Sequence, residues 1–117
     1  MSHNQQIGRW GEQIAADYLK EKGYEILGVN SRTPFGEIDI VALFAGQIFF
    51  VEVKTRTTNS HGLPEEALSK AKLNRMKNCA EFYAAEHEID SWQCDAISIN
   101  GKPNLKPSIE YFENVTR

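Results

Sequence analysis

Most of what marks a membrane, secreted or nucleic-acid-coating protein is missing from this sequence. No apolar run approaches the roughly 20 residues needed to cross a bilayer, so no membrane span is expected. The polar N-terminus carries no signal-peptide pattern, and a cytoplasmic location is the expectation. Cysteine is scarce: Cys79 falls in a helical pattern and Cys94 in a strand pattern, with no Cys-x-x-Cys, and both read as reduced core residues. A basic excess is also lacking. The net charge of -3 argues against a protein that coats nucleic acid indiscriminately, which needs a broad positive surface. No repeat or low-complexity segment is present.

What remains is ordinary in bulk and uneven in detail. With 117 residues, 41% apolar and 25% charged, the chain suits one compact domain spanning residues 1–117. Its cations are concentrated, however: residues 54 to 77 hold six Lys or Arg against two acids, directly after a stretch that carries carboxylates.

That stretch is residues 36 to 56, two apolar strand-like runs meeting at Ala45-Gly46. Strand side chains alternate faces, so Glu37 and Asp39 share one face of the first run, and Glu52, Lys54 and Arg56 one face of the second. With Ala45-Gly46 as the turn, Phe44 pairs with Gln47, Asp39 falls opposite Glu52 and Glu37 opposite Lys54. Directly opposite residues have Cβ atoms roughly 5 Å apart, and like charges there are destabilising unless a cation sits between them. A divalent metal held by hard carboxylate oxygens is the simplest answer, on a stiff platform of Ile38, Ile40, Phe49, Val51 and Val53. The alternative is an ordinary half-exposed hairpin with a charged ladder, Glu37 paired with Lys54. A slip by one residue would put the two carboxylates on opposite faces. Against the exposed ladder, Phe44, Ile48, Phe49, Phe50, Val51 and Val53 make the second run apolar on both sides, as in a central strand, where unpaired Glu and Lys are costly.

Around this hairpin the remaining elements follow from periodicity. Residues 4 to 22 predict a helix, with Ile7, Trp10, Gly11, Ile14, Ala15, Tyr18 and Leu19 at helical spacing, Asn4 as candidate cap and Gly23 as stop. Glu12 lies on the flank of the apolar stripe, in a row with small Gly8 and Ala16; most such residues are plain surface carboxylates. Residues 24 to 30 predict a strand, and 31 to 36 a turn-rich connection punctuated by Pro34 and Gly36. Residues 57 to 62 read as a polar loop placed where a ligand could be covered, with His61 an exposed loop residue. A second helix is predicted from Pro64 to about His87, Glu65 and Glu66 complementing its positive end. Lys72 and Arg75 border its buried stripe of Leu73, Met76, Cys79, Ala80 and Tyr83. They either snorkel to water or, if the helix packs over the hairpin, bring Lys72 to the carboxylates or to a bound phosphate. Residues 92 to 100 predict a strand with Asp95 on the face of Ile97 and Ile99, and residues 109 to 112 a short last strand. The order αβββαββ predicts an α/β fold with a mixed sheet of about five strands, flanked by helices, the acidic hairpin at its middle.

The ordered set Gly8-x-x-Gly11-Glu12, Asn30-x-Arg32, Gly36-Glu37-Ile38-Asp39-Ile40-Val41-Ala42, Phe50-Val51-Glu52-Val53-Lys54-Thr55-Arg56 and Lys72-x-x-Arg75 resembles the small YraN-type proteins, predicted endonucleases. That family is placed in the PD-(D/E)XK nuclease superfamily, near its Holliday junction resolvases. The resemblance spans residues 7 to about 99 and implies a three-layer, restriction-endonuclease-type fold. It makes Asp39 and Glu52 metal ligands, with the backbone carbonyl of Val53 as a third and Glu12 as an outer or second-metal ligand. It makes Lys54 the residue that orients or helps deprotonate the attacking water. Arg32, Arg56, Lys72 and Arg75 become the expected nucleic-acid contacts. Ile38 stands where the superfamily's name would put proline, a position that varies. The implied cofactor is magnesium, with manganese as substitute and calcium binding without turnover. The implied partner is DNA, branched or distorted, cut to leave a 5′-phosphate. A four-way junction needs two coordinated cuts, so a symmetric homodimer is implied as well; the sheet edge near residues 109 to 112 is one candidate face.

Two other classes compete with a metal-dependent endodeoxyribonuclease. A catalytically silent nuclease-fold module, docking nucleic acid or a protein partner, would suit the acidic balance but not the intact Glu12, Asp39, Glu52 and Lys54 set. A metal-free hydrolase using facing carboxylates as acid and base would need a sugar-stacking cleft, and none is evident.

Overall fold

The computed structural model describes residues 2–57 and 69–116. Helix α1 (His3–Glu21) starts two residues earlier than Asn4 would have capped it. Ser2 is the cap: its hydroxyl accepts the Gln5 N–H at 3.2 Å while the Gln5 side chain accepts the Ser2 N–H at 2.9 Å, a reciprocal capping box. The stop at Gly23 is as expected. Gly23 has φ +97°, its N–H bonds Lys20 O and the next N–H, from Tyr24, bonds Leu19 O, each at 3.0 Å, the Schellman pattern that consumes orphan carbonyls.

Strand β1 (Glu25–Thr33) runs past Asn30, through three residues expected to be turn. The connection to β2 (Gly36–Phe44) is only Pro34-Phe35, because Ser31, Arg32 and Thr33 pair with Ile38, Glu37 and Gly36. Thr33 closes this turn, its hydroxyl accepting the Phe35 N–H and donating to Gly36 O. Strand β3 (Gln47–Arg56) follows Ala45-Gly46, whose φ values of +51° and +79° give the double left-handed turn that matches hairpin twist. Helix α2 (Lys70–Glu86) follows Ser69, whose hydroxyl accepts the Lys72 N–H. Pro64, Glu65, Glu66 and His61, with the loop beyond Thr57, lie outside the described residues. Strands β4 (Trp92–Asn100) and β5 (Ser108–Phe112) complete the chain.

The sheet order is β1-β2-β3-β4-β5, antiparallel except for the parallel pair β3 and β4, which α2 connects. This is the mixed α/β arrangement and element order expected from periodicity. Strand β3 is central and apolar on both faces. Phe49 and Val51 join Ala15, Leu19, Ile97 and Ile99 under α1, while Ile48 and Phe50 join Met76, Cys79, Ala80 and Cys94 under α2. One helix therefore covers each face, giving three layers, and both cysteines are buried and free. Among the described residues no helix is long and apolar enough to cross a membrane.

Asp95 is fully buried and belongs to this scaffold. It accepts hydrogen bonds from the Tyr111 hydroxyl, from Gln93 Nε2 at 2.8 Å and from the Asn114 N–H at 3.0 Å, tying β5 and the following segment to β4. Burial, then the adjoining carboxylate, pushes the Tyr111 hydroxyl above its ordinary range.

Candidate active site

The site forms where β2 and β3 part. Their pairing keeps the register set by the Ala45-Gly46 turn from Phe44 and Gln47 up to Ile40 and Val51, and stops there. Beyond that point β2 stays with β1, through Glu37 opposite Arg32, and β3 stays with β4, through Arg56 opposite Asn100. A fork opens inside the sheet. The expected ladder pair of Asp39 with Glu52 is thus never made, and the Asp39 carboxylate instead accepts the Val53 N–H at 2.8 Å. This side chain satisfies the backbone donor at the end of the ladder.

The two carboxyl groups nevertheless come together in the fork, where the charge of Glu52 acts on Asp39. Burial, then the charge of Glu52, raises Asp39 from an ordinary 3.8 to about 7, with Glu12 adding and the Val53 N–H and Arg75 opposing. Glu52 is also raised, by burial first, against the pull of Arg75 and Lys72. Neither acid is comfortable ionised without a cation.

Arg75 supplies part of that charge from α2. Its Nη2 lies 3.6 Å from Glu52 Oε1, and its stem crosses Gly36, where an added Cβ would stand 3.0 Å from Nη1 and 3.4 Å from Cδ. Gly36, at φ +132°, therefore serves both the strained backbone and the passage of the guanidinium. The expected approach of Lys72 takes the form of a through-space attraction on Glu52; Arg75 is the residue in contact.

Glu12 reaches the fork from α1 on the other face. Asn30 Nδ2 donates to its Oε1 at 3.2 Å, and its charge acts on both Asp39 and Glu52. Among the described residues no three His, Cys, Asp or Glu side chains converge tightly enough to grip a metal unaided. The donor set nonetheless fits magnesium, a hard ion that takes one or two carboxylates and completes its shell with water and substrate oxygens.

The other expected contacts spread out. Glu37 pairs with Arg32 at 3.4 Å, not with Lys54, because the β2–β3 ladder ends before reaching them. Arg32 thus lies on the α1 side, along a groove that also includes Glu12. Arg56 is half-buried and donates to the Ser98 hydroxyl at 3.2 Å, away from Arg32. Lys54 and Val53 line a second groove with Glu12. Asn30 sits inside the Asn30-x-Arg32 motif, but spacing does not reveal its bond to Glu12; Gly36 and Gly11, legible as a turn residue and a member of the α1 stripe, also make room for Arg75 and Thr55.

A family model described as "Uncharacterised protein family UPF0102" matches residues 11–99. A UPF0102 protein of Syntrophotalea carbinolica is 44% identical over 91% of this chain and 87% of its own length. Those of Syntrophomonas wolfei and Alkaliphilus oremlandii are 46% and 45% identical, covering 93% and 95% of this chain and 99% and 97% of their own.

Proposed function

The chain belongs to the uncharacterised protein family UPF0102, and from that premise we propose that it is a metal-dependent endodeoxyribonuclease of the PD-(D/E)XK type, acting on branched DNA. The observation that carries the reading is the meeting of Asp39 and Glu52 at the fork of β2 and β3, both pushed toward neutrality by burial. A pair so placed costs stability unless it holds a cation.

Asp39, Glu52 and the Val53 carbonyl would hold magnesium, with manganese as a substitute. When bound, the ion lowers the pKa of a bound water and neutralises charge on the phosphate. Lys54, two residues after Glu52 on the same strand, orients the attacking water. That water adds to phosphorus, the bond to the 3′ oxygen breaks, and the 3′ oxygen takes up a proton, leaving a 5′-phosphate. Arg75 and Lys72 meet the charge on phosphate from α2, and Asn30 orients Glu12 as the outer acid. On a four-way junction two copies are required, one for each cut.

One observation favours a second reading. Glu12 is held by Asn30 at a distance from the other two acids, and Arg75 already rests on Glu52, as a silent binding module would also allow. Titration with magnesium and manganese, following backbone amide shifts, separates the two. Saturable shifts at Asp39, Glu52 and Val53, lost in Asp39→Asn, together with metal-dependent cutting of a four-way junction, are the expected result. Cutting that survives excess chelator would sink the nuclease reading, and junction binding with neither shifts nor cutting would establish the silent module.

A further inference from the structure

Gly8 has no structural reason to be glycine. It lies in the interior of α1, where glycine is among the least favourable residues, and its backbone is not left-handed. A Cβ placed there would meet nothing within 4 Å. Three residues on, Gly11 is the opposite case, excluded from bearing a Cβ by Thr55. Open space above a helix backbone, maintained at a cost in helix propensity, is the arrangement that a closely approaching ligand requires.

Two grooves flank this spot and share two residues, Gly8 and Glu12. One, of about 760 Å³, includes Gln5, Arg9, Asn30 and Arg32 in its lining; the other, of about 360 Å³, includes Asn4 and Lys54. Three cations and three side-chain amides thus line the two, against the acids Glu12 and Glu37, and none of the lining residues is aromatic. Cations and amides suit phosphate oxygens. Without aromatic rings there is no platform on which bases would stack.

We propose that the two grooves are one track, continuous across α1 at Gly8, that leads a single nucleic-acid strand by its sugar–phosphate backbone past Glu12 to Asp39 and Glu52. Arg9 and Arg32 hold phosphates on one side of the crossing and Lys54 on the other. The track serves the centre assigned above and rests on that assignment. Contacts to the backbone alone make the grip independent of base sequence.

The test uses a fluorescein-labelled single-stranded oligonucleotide and a labelled four-way junction, with binding in calcium read by anisotropy, cutting in magnesium, and thermal melts alongside. Gly8→Leu is expected to weaken binding of both probes tenfold or more, and Gly8→Ala about threefold. Gly8→Ala should at the same time raise the melting temperature, because alanine favours the helix and meets no neighbour. Arg9→Gln should reduce the slope of log affinity against log salt by about one, the loss of a single phosphate contact. Wild-type protein that binds and cuts while Gly8→Leu and Gly8→Ala bind within 1.5-fold of it, an on-the-order limit for no effect in affinity terms, would overturn the track and leave the nuclease reading intact. Wild-type protein that neither binds nor cuts either probe would overturn both.

Discussion

Gly11 and Thr55 are in direct apposition: a Cβ on Gly11 would stand 1.8 Å from the Thr55 hydroxyl oxygen and 2.9 Å from its Cβ. Helix α1 therefore lies against β3 one residue before Glu12. Gly11→Ala gains about 1 kcal/mol of helix propensity. It loses more by overpacking, typically about 1–3 kcal/mol. The expected outcome in urea denaturation is net destabilisation, partly relieved by adding Thr55→Ala, since the Thr55 Cβ remains in the way. Unchanged stability of Gly11→Ala would show that α1 shifts freely and that Glu12 is not held in place by this contact.

The pH dependence follows from the fork. Asp39 titrates near 7 in the fold and at its ordinary 3.8 when exposed, so between those values the folded chain binds more protons than the unfolded one. Its contribution is complete below the unfolded value and is lost as pH rises through the folded value. In chelator, the wild-type protein should lose stability relative to Asp39→Asn between about pH 4 and pH 8. At pH 8 the variant should be the more stable by about 1–3 kcal/mol, discounted from the full shift for partial exposure. Denaturant midpoints across that range check it; an Asp39→Asn protein less stable at every pH would make Asp39 a structural partner of Val53 and nothing more.

The register of the central hairpin was readable because a two-residue turn and strict alternation leave few pairings open. Where that ladder ends was not readable. The fork depends on the Asp39 side chain taking the Val53 N–H and on Arg75 arriving from a helix some twenty residues away, neither of which has a local signature. Pro34 misled in the other direction. It marked a turn correctly, but Arg32 pairing with Glu37 carries β1 up to the residue before it. Glu12 could be placed on the flank of its helix from spacing alone, whereas its partner Asn30, at φ +52° in β1, could not.

Arg75 and Gly36 form a second dependent pair. Gly36→Ala puts a side chain at φ +132° and 3.0 Å from the guanidinium, and strain of this kind costs on the order of 1–3 kcal/mol. Arg75→Met removes the cation in contact with Glu52 while keeping an apolar stem. In chelator at pH 8 it should melt below wild type, and millimolar manganese should restore more of its melting temperature than it adds to wild type, since the metal no longer competes with a guanidinium. A metal-induced rise in Arg75→Met smaller than in wild type would mean that Arg75 helps hold the ion's environment instead of standing in for it.

Asp95 provides the contrast that separates a scaffold carboxylate from the pair in the fork. It is fully buried, yet three donors face it, from Tyr111, Gln93 and Asn114. Each buried donor left without an acceptor costs about 1–3 kcal/mol. Asp95→Ala should therefore lose several kcal/mol, and Asp95→Asn clearly less, because its Oδ1 can keep the Gln93 and Asn114 donors while its amide donates to the Tyr111 hydroxyl, which can accept. Tyr111→Phe, which removes one hydrogen bond and leaves the ring stacked on Tyr18, should lose about 1–2 kcal/mol. At a temperature where Tyr111→Phe is fully folded, its manganese titration should match wild type. Asp39→Asn should show the reverse on both counts, with stability retained or raised in chelator and the metal response gone. A Tyr111→Phe protein that folds but no longer responds to manganese would place Asp95 in the metal centre and move the site from the fork toward β4.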